Sequence, residues 1–331
     1  MSSYIAFLDY DRLKIELNEI YGISADAFEL ISDYCASVYV LSADDKKYIF
    51  KLHRTFDTEI ALQSANIMDY LSAQSFPAVP IVHTKKGHLT FPMSFPEGNR
   101  IGTLYDFIDG KMGYDLNFEY FAATLGEIMG HMHLLMDRYD KPLMQYGRDH
   151  YVGRCINIMK EFNYSPSKIA ELDEYASILW SNVTKTKPGF CHGDFNVSNF
   201  ILSHDGKYYL FDFDCAGISY PINDVFCICN MTATIFDFNI TSVKNYIDAT
   251  RKLSLIRQGY EKHRKLNDLD IAAVYSFIGL SVFWTMGQVN KYRSLLEGHR
   301  RWIDEQYFDK RYNWLMHWRN LCKDKGMTYL S

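Results

Sequence analysis

Phe190-Cys-His-Gly-Asp-Phe-Asn-Val-Ser-Asn-Phe-Ile-Leu-Ser-His-Asp-Gly-Lys-Tyr-Tyr-Leu-Phe-Asp-Phe-Asp214 is the stretch whose reading decides the fold. Two short apolar runs, Phe200-Ile-Leu202 and Tyr208-Tyr-Leu-Phe211, flank His204-Asp-Gly-Lys207. Asp-Gly between such runs is a strong signal for a two-residue hairpin turn. That turn pairs His204 with Lys207 and, followed back along the strands, sets Asn199 directly opposite Asp212. Side chains so opposed have Cβ atoms about 4.5–5.5 Å apart. An amide oxygen and a carboxylate at that separation suit one hard cation, and Mg²⁺ favours such oxygen ligands while keeping positions for substrate phosphates. Asp194 precedes Asn199 in a loop that must curve back over the same end of the hairpin, which makes it the candidate base beside the metal.

His192-Gly-Asp194, Asn199 and Phe211-Asp-Phe-Asp214, at these spacings, resemble the aminoglycoside phosphotransferase and choline kinase superfamily, in its small-molecule kinase branch. The resemblance implies an α+β, two-lobed protein-kinase-like fold, with a small N-lobe of antiparallel sheet plus one helix and a larger, mainly helical C-lobe. It also implies the kinase division of labour. In it Asp194 is the base near the acceptor hydroxyl, and Asn199 and Asp212 bind Mg²⁺. Asp214 is a further ligand or a structural acid. Asp224, in Ser219-Tyr-Pro-Ile-Asn-Asp-Val225, matches a buried Asp that braces the loop, and His192 belongs to the same structural support. Each fragment alone also fits an ordinary turn or strand end; the four together point to phosphoryl transfer.

Ala36-Ser-Val-Tyr-Val-Leu-Ser42 and Lys47-Tyr-Ile-Phe-Lys-Leu-His53 read as strands joined through Ala43-Asp-Asp45. Alternation puts Ile49 and Lys51 on one face and Tyr48, Phe50 and Leu52 on the other. By resemblance Lys51 is the strand lysine that contacts nucleotide phosphates. The stretch from Asp57 to Leu71 has apolar residues at helical spacing with acids in its first turn, which favours the helix dipole. Glu59 is expected to pair with Lys51, with Asp57 and Gln63 as competitors. The loop between the first two strands, Ser32-Asp-Tyr-Cys-Ala-Ser-Val38, contains no glycine, a departure from protein kinases that leaves its phosphate contacts unassigned.

Two more strand candidates, Val79–His83 and His88–Pro92, lead to Ile101-Gly-Thr-Leu-Tyr-Asp-Phe-Ile-Asp-Gly110, which resembles the hinge between lobes. Backbone groups of Tyr105, Asp106 and Phe107 would there hydrogen-bond adenine; a plain strand ending in an Asp-Gly turn is the alternative. The domain reading is an N-lobe over 1–103 that binds nucleotide, a hinge over 104–110 and a C-lobe over 111–331 that carries the catalytic loop, metal site and acceptor site. Phe121 to Leu135 reads as a buried helix, on which His131 and His133 point apart and make poor zinc ligands.

Composition agrees with a globular chain of two cores: 331 residues, 48% of them hydrophobic. The net charge of −5 comes from 35 basic and 40 acidic residues spread along the chain, which recommends neither nucleic acid nor an anionic membrane as partner. Seven irregularly spaced cysteines and no signal peptide at Met1-Ser-Ser-Tyr-Ile5 give cytoplasm as the expected location. Cys227 and Cys229 lack the second ligand pair of a zinc site, and Cys191 reads as a small buried apolar residue. Ile271 to Asn290 carries no charge and is long enough to span a bilayer, but its polar residues and glycines make it a core helix of the large lobe.

Acceptor specificity is expected in the last third. Trp284, Trp302, Trp314 and Trp318, with Tyr292, Tyr307 and Tyr312, form either a cation-binding aromatic box or ordinary core. Arg293, Arg300, Arg301 and Arg319 recognise an anionic acceptor or are solvated. The expected activity is transfer of the γ-phosphoryl group of ATP, or GTP, with Mg²⁺, to a hydroxyl of a small molecule: an amino alcohol, an amino sugar or aminoglycoside, or an amino acid. A protein-directed kinase of the same fold and a non-catalytic binding member are the alternatives. The absence of His-Arg-Asp and Ala-Pro-Glu motifs weighs against the first, and the presence of Asp194, Asn199 and Asp212 against the second. Nothing in the sequence reads out the oligomeric state.

Overall fold

Leu13 and Leu17 lie one helical turn apart behind Asp9, whose carboxylate accepts from the N–H groups of Asp11 and Arg12, and Gly22 ends the turn in the left-handed region. These signals build α1 (Tyr10–Tyr21), a helix beyond the single one expected in this part of the chain. The computed structural model describes residues 9–33, 35–43, 45–229, 241–291, 304–327 and 330. After α1 come β1 (Ala27–Asp33), β2 (Ala36–Ala43), β3 (Lys46–His53), α2 (Thr58–Ala73), β4 (Thr90–Phe95), β5 (Gly98–Asp106) and β6 (Gly110–Met112). Then follow α3 (Phe118–Met136), α4 (Arg154–Glu161), α5 (Pro166–Val183), β7 (Gly189–Cys191), β8 (Phe200–Ser203), β9 (Tyr208–Leu210) and β10 (Gly217–Ser219). The chain ends with α6 (Ile222–Cys229), α7 (Ser242–Tyr260), α8 (Asp268–Lys291) and α9 (Glu305–Asp324).

Two compact units result, one of Met1–Leu116 with Ser198–Cys215, the other of Asn117–Val197 with Ala216–Ser331. The segment Ser198–Cys215 falls in the first unit because β8 pairs with β6, and because Leu210 exchanges backbone hydrogen bonds with Pro77 and Val79.

The first unit is built on an antiparallel sheet of order β1-β2-β3-β5-β4. Phe50 and Leu52, on the face of β3 opposite Lys51, are fully buried in one core with Leu13, Leu17, Leu41 and Leu104. Burying each such side chain is worth about 1.5–3 kcal/mol. Val79–His83 makes a single bridge, Ile81 to Tyr105, rather than a strand, since Pro80 has no N–H to give a ladder.

The hairpin that opened the sequence reading forms one residue out of the expected register. Phe200 pairs with Leu210, Ile201 with Tyr209 and Leu202 with Tyr208. The Ser203 N–H donates to the Lys207 carbonyl, and the Gly206 N–H to the Ser203 carbonyl, with Gly206 at φ 82°. The turn is thus a three-residue loop, His204-Asp-Gly206, with glycine at its left-handed position. The Asp205 carboxylate favours this loop by accepting from the Ser203 hydroxyl and the Lys207 N–H. In consequence Asn199 faces Phe211, whose N–H donates to its carbonyl at 3.1 Å, and not Asp212.

In the second unit α3 and α7 approach closely where Gly126 meets the Ile256 backbone and Gly259 the Ala123 backbone; a Cβ at either position would overlap a carbonyl. The uncharged run of α8 is core: Ala273, Val274, Phe277, Ile278, Leu280, Val282 and Phe283 are all buried. Among the described residues no helix is long and apolar enough to cross a membrane. A two-stranded sheet of β7 and β10 completes the unit at the entrance to the His192 loop.

Candidate active site

Lys51 and His53, two apart on β3, share one face of the strand, and both reach acids that follow the β8–β9 hairpin. The Lys51 Nζ donates to Asp212 Oδ1 at 2.7 Å and lies 2.8 Å from Asp214 Oδ2. His53 Nε2 lies 3.0 and 3.2 Å from the two oxygens of Asp214. Burial pulls the Lys51 ammonium down, but Asp212 and Asp214 outweigh it and hold the group well above its ordinary value. Burial likewise pushes the Asp214 carboxyl up, and Lys51 and His53 overcome it to hold that group below the usual carboxylate range. The two acids differ in freedom. The Asp214 side chain is 19% exposed and has two partners, whereas Asp212 is 39% exposed and has Lys51.

The pairing expected between Lys51 and Glu59 is corrected by this arrangement. Glu59 sits exposed in the first turn of α2, and the carboxylates that neutralise Lys51 are Asp212 and Asp214. Asp57, at the start of α2, is buried and is not an ion-pair partner of Lys51. Asp212 departs from the strand with φ 64°, a left-handed backbone that Asp tolerates better than most residues.

At the expected hinge, Tyr105 pairs with Ile49 on one side and bridges Ile81 on the other, so its backbone belongs to the sheet. The Asp106 N–H donates to the Pro80 carbonyl at 3.0 Å. Phe107 leaves the ladder, with the Lys47 ammonium 5.5 Å from its ring centre. The glycine-free connection between β1 and β2 is held by a polar brace that sequence reasoning missed. Asp33 accepts from the Ser37 hydroxyl and from Arg54, both at 2.7 Å. The buried Arg100 guanidinium donates to Ser37 Oγ and to the carbonyls of Leu52 and His53.

In the second unit the His192-Gly-Asp194 loop leaves β7 with Gly193 at φ 80°, and its backbone is tied to a fully buried carboxylate. Asp224 Oδ2 accepts from the His192 N–H at 2.7 Å and Oδ1 from the Gly193 N–H at 2.9 Å. His133, also buried, places Nε2 3.0 Å from Asp224 Oδ2 and Nδ1 3.0 Å from the Tyr260 hydroxyl. With Nε2–H donating to the carboxylate, Nδ1 accepts from Tyr260. The Asp194 N–H donates to His192 Nδ1, and Asp194 Oδ1 accepts from the Asn196 amide at 2.8 Å. Cys227 contributes a weak S–H contact to the Gly193 carbonyl. Burial pushes the Cys191 thiol far up, consistent with a small core residue.

His131 points away from His133 and stacks on His263. Among the described residues no group of three or more His, Cys, Asp or Glu could hold a metal ion. Asn199 and Asp212 offer a different donor set, an amide and a carboxylate. Asp212 Oδ1 takes Lys51, which leaves its second oxygen available, and oxygen donors of this kind fit a hard divalent cation that also binds phosphate. In the last third Trp314 stacks on Trp318, both buried, so these two are core, and the partly buried Arg319 lies over the Tyr175 ring. The Trp284 side chain and residues Tyr292, Arg293, Arg300, Arg301 and Trp302 lie outside the described residues.

Comparison with known proteins follows the same lines. The phosphotransferase enzyme family model matches residues 28–266. An uncharacterized protein of Deinococcus radiodurans is 21% identical over 280 residues, which cover 82% of this chain and 79% of that one. The structure of a microcompartment-associated aminopropanol kinase has a TM-score of 0.72 at 16% identity, covering 96% of this chain and 98% of its own. An amicoumacin kinase in complex with AMP-PNP and Ca²⁺ has a TM-score of 0.68 at 19% identity, covering 86% of each chain. Choline kinase from Cryptosporidium parvum has a TM-score of 0.61 at 14% identity, covering 97% of this chain and 98% of that one. At these identities the structural likeness establishes a shared kinase-like fold, and the match to the family model, which takes in most of the chain, places this protein in the phosphotransferase enzyme family.

Proposed function

We propose that this chain transfers the γ-phosphoryl group of ATP, or GTP, in the presence of Mg²⁺, to a hydroxyl of a small molecule. An amino alcohol, an amino sugar or aminoglycoside, or an amino acid is the acceptor class. The observation that carries the reading is the pairing of the β3 lysine with the acid after the hairpin, Lys51 to Asp212 at 2.7 Å. A buried cation next to a half-exposed carboxylate is what a nucleotide-phosphate and metal site requires. Lys51 contacts phosphate oxygens, and the backbone near Phe107 faces adenine. On this reading residues 1–103 are the nucleotide lobe, 104–110 the hinge and 111–331 the lobe that carries the acceptor site, with Ser198–Cys215 of that last span packed into the first compact unit.

Asn199 and Asp212 would hold Mg²⁺, which when bound neutralises charge on the phosphates. Asp194 orients the acceptor hydroxyl and takes its proton while the hydroxyl oxygen bonds to the γ-phosphorus and the bond to the leaving nucleoside diphosphate breaks. His192, Asp214 and Asp224 support this chemistry through the loop and the lysine. Positioning and charge neutralisation supply most of the rate. The amicoumacin, aminopropanol and choline kinases named above support a small hydroxylated acceptor.

The test is thermal stabilisation with ATP and GTP, each with and without Mg²⁺, repeated over a panel of amino alcohols, amino sugars and amino acids. A Mg²⁺-dependent nucleotide shift, increased by one acceptor, is the expected result. In the enzyme so identified Asp194→Ala should lose about 10²–10⁴-fold in turnover while nucleotide binding persists. No shift at millimolar nucleotide would turn the reading toward a non-catalytic member of the family.

A further inference from the structure

We propose that His53 is a positioning residue that pins Asp214 as the standing partner of Lys51 and so leaves Asp212 free to exchange between the lysine and the metal. The inference rests on the phosphotransferase reading for the role of Asp212, but the clamp itself is a matter of geometry within one unit. His53 is 1% exposed, and its Nε2 spans both oxygens of Asp214 at 3.0 and 3.2 Å. Its backbone is equally fixed, because the His53 carbonyl accepts from the buried Arg100 Nε at 3.0 Å. The other ring nitrogen, Nδ1, is buried and has no hydrogen-bond partner among the described residues. A proton there would be a buried donor with no acceptor, whereas the Asp214 carboxylate asks for a donor at Nε2. The ring is therefore the Nε2–H tautomer, donating to Asp214.

The consequence is a hierarchy between two acids that both neutralise one lysine. Asp214 is held by Lys51 at 2.8 Å and by an immobile imidazole, and its side chain is largely covered. Among the described residues Asp212 is held by Lys51, sits on a left-handed backbone and is twice as exposed. When a cation and phosphates arrive, the weaker attachment yields. Asp212 turns to the cation, phosphate oxygens take its place at the ammonium, and Asp214 keeps the lysine pointed at the same place throughout. Without His53, Asp214 loses one of its two anchors, and the lysine has no fixed reference.

Double-mutant cycles on chemical denaturation test the clamp without any nucleotide. His53→Leu combined with Asp214→Asn should be strongly non-additive, while His53→Leu combined with Asp212→Asn should be close to additive. Kinetics with Mg·ATP then read the function: His53→Leu should raise KM for nucleotide about tenfold with a smaller change in kcat. His53→Gln, whose amide nitrogen can stand where Nε2 stands, should restore most of it. His53→Asn is too short to reach Asp214 and should not; this pair decides the matter if the leucine variant fails to fold. Additivity with Asp214, or equal coupling to both acids, would overturn the proposal. A wild-type protein that binds no nucleotide would sink the phosphotransferase reading, and the denaturation cycles would still decide the clamp.

Discussion

The two units hold their key groups in opposite ways. In the first, Lys51 is fixed by charge: two carboxylates meet it, one of them well exposed and the other also held by His53. In the second, the loop carrying Asp194 is fixed by backbone: Asp224 is fully buried and accepts from two consecutive main-chain N–H groups and from His133. A side chain tied by ion pairs can trade partners when another charge arrives. A backbone tied to a buried carboxylate cannot move without leaving several buried donors unsatisfied. On the phosphotransferase reading proposed above, the first arrangement suits a lysine that exchanges partners with phosphates and the second a base that stays in place.

Removing the buried anchor should therefore do the most damage. Asp224→Ala leaves the His192 and Gly193 N–H groups and the His133 Nε2–H buried without an acceptor. A loss of about 3–5 kcal/mol in denaturation is expected. Asp224→Asn keeps one acceptor oxygen and should lose less. Equal losses for the two would mean that charge, rather than backbone hydrogen bonding, fixes the loop.

The lysine cluster should respond more mildly and with a pH signature. Lys51→Met leaves Asp212 and Asp214 without their cation, and since both retain some solvent the expected cost near neutral pH is about 1–3 kcal/mol. Asp214 is held below the usual carboxylate range, where Lys51 and His53 overcome the opposing effect of burial. A depressed folded-state value makes its contribution complete above the ordinary carboxylate value near 4, and that contribution is lost as pH falls through the folded value. Denaturation of Lys51→Met should show a flatter acid limb than the parent. An unchanged acid limb would mean that His53 alone holds the carboxylate ionised.

Much of this was legible in the sequence, and what was not has a consistent cause. Alternation along Lys47–His53 placed Lys51 opposite Phe50 and Leu52, and the buried core follows that pattern. The uncharged run of α8 was a core helix because its polar residues and glycines fit a packed helix better than lipid. Such signals are local. The acids that meet Lys51 were not legible, because Glu59 is close in sequence and has the right charge, while Asp212 lies 161 residues away, with Asp214 just beyond it, on a turn that only tertiary structure brings back. The hairpin register slipped by one because Ser203 and Asp205 bond within the loop and lengthen the turn, which the Asp-Gly pair alone does not report. His53 read as a strand end, and its reach to Asp214 had no sequence signal beyond its position two residues from Lys51.

Gly193 gives a sharper test of the backbone-held loop. At φ 80° it occupies the left-handed region, where a Cβ costs about 1–2 kcal/mol. Gly193→Ala should lose that much in denaturation and also lower turnover, since the strain falls on the residue next to Asp194. Lost stability with intact turnover would show that the Asp194 position does not depend on the loop backbone, which would break the comparison on its functional side.

The smallest effect is expected at the brace under the β1–β2 connection, where the glycine-free loop is tied by Asp33 to Arg54 and Ser37. Asp33 is 44% exposed and Arg54 only 5%, so water competes for the carboxylate and the pair should contribute no more than about 1 kcal/mol. Asp33→Asn keeps an acceptor for the Ser37 hydroxyl while removing the charge. It should leave the denaturation midpoint nearly unchanged, speed hydrogen exchange in the amides of 33–37 and raise KM for nucleotide. If Asp33→Asn destabilised the protein as much as Asp224→Ala, the first unit too would depend on a rigid polar anchor, and the contrast between exchangeable and fixed attachment would fail. If exchange alone quickens, the brace is a restraint on loop motion in a unit otherwise held by its apolar core.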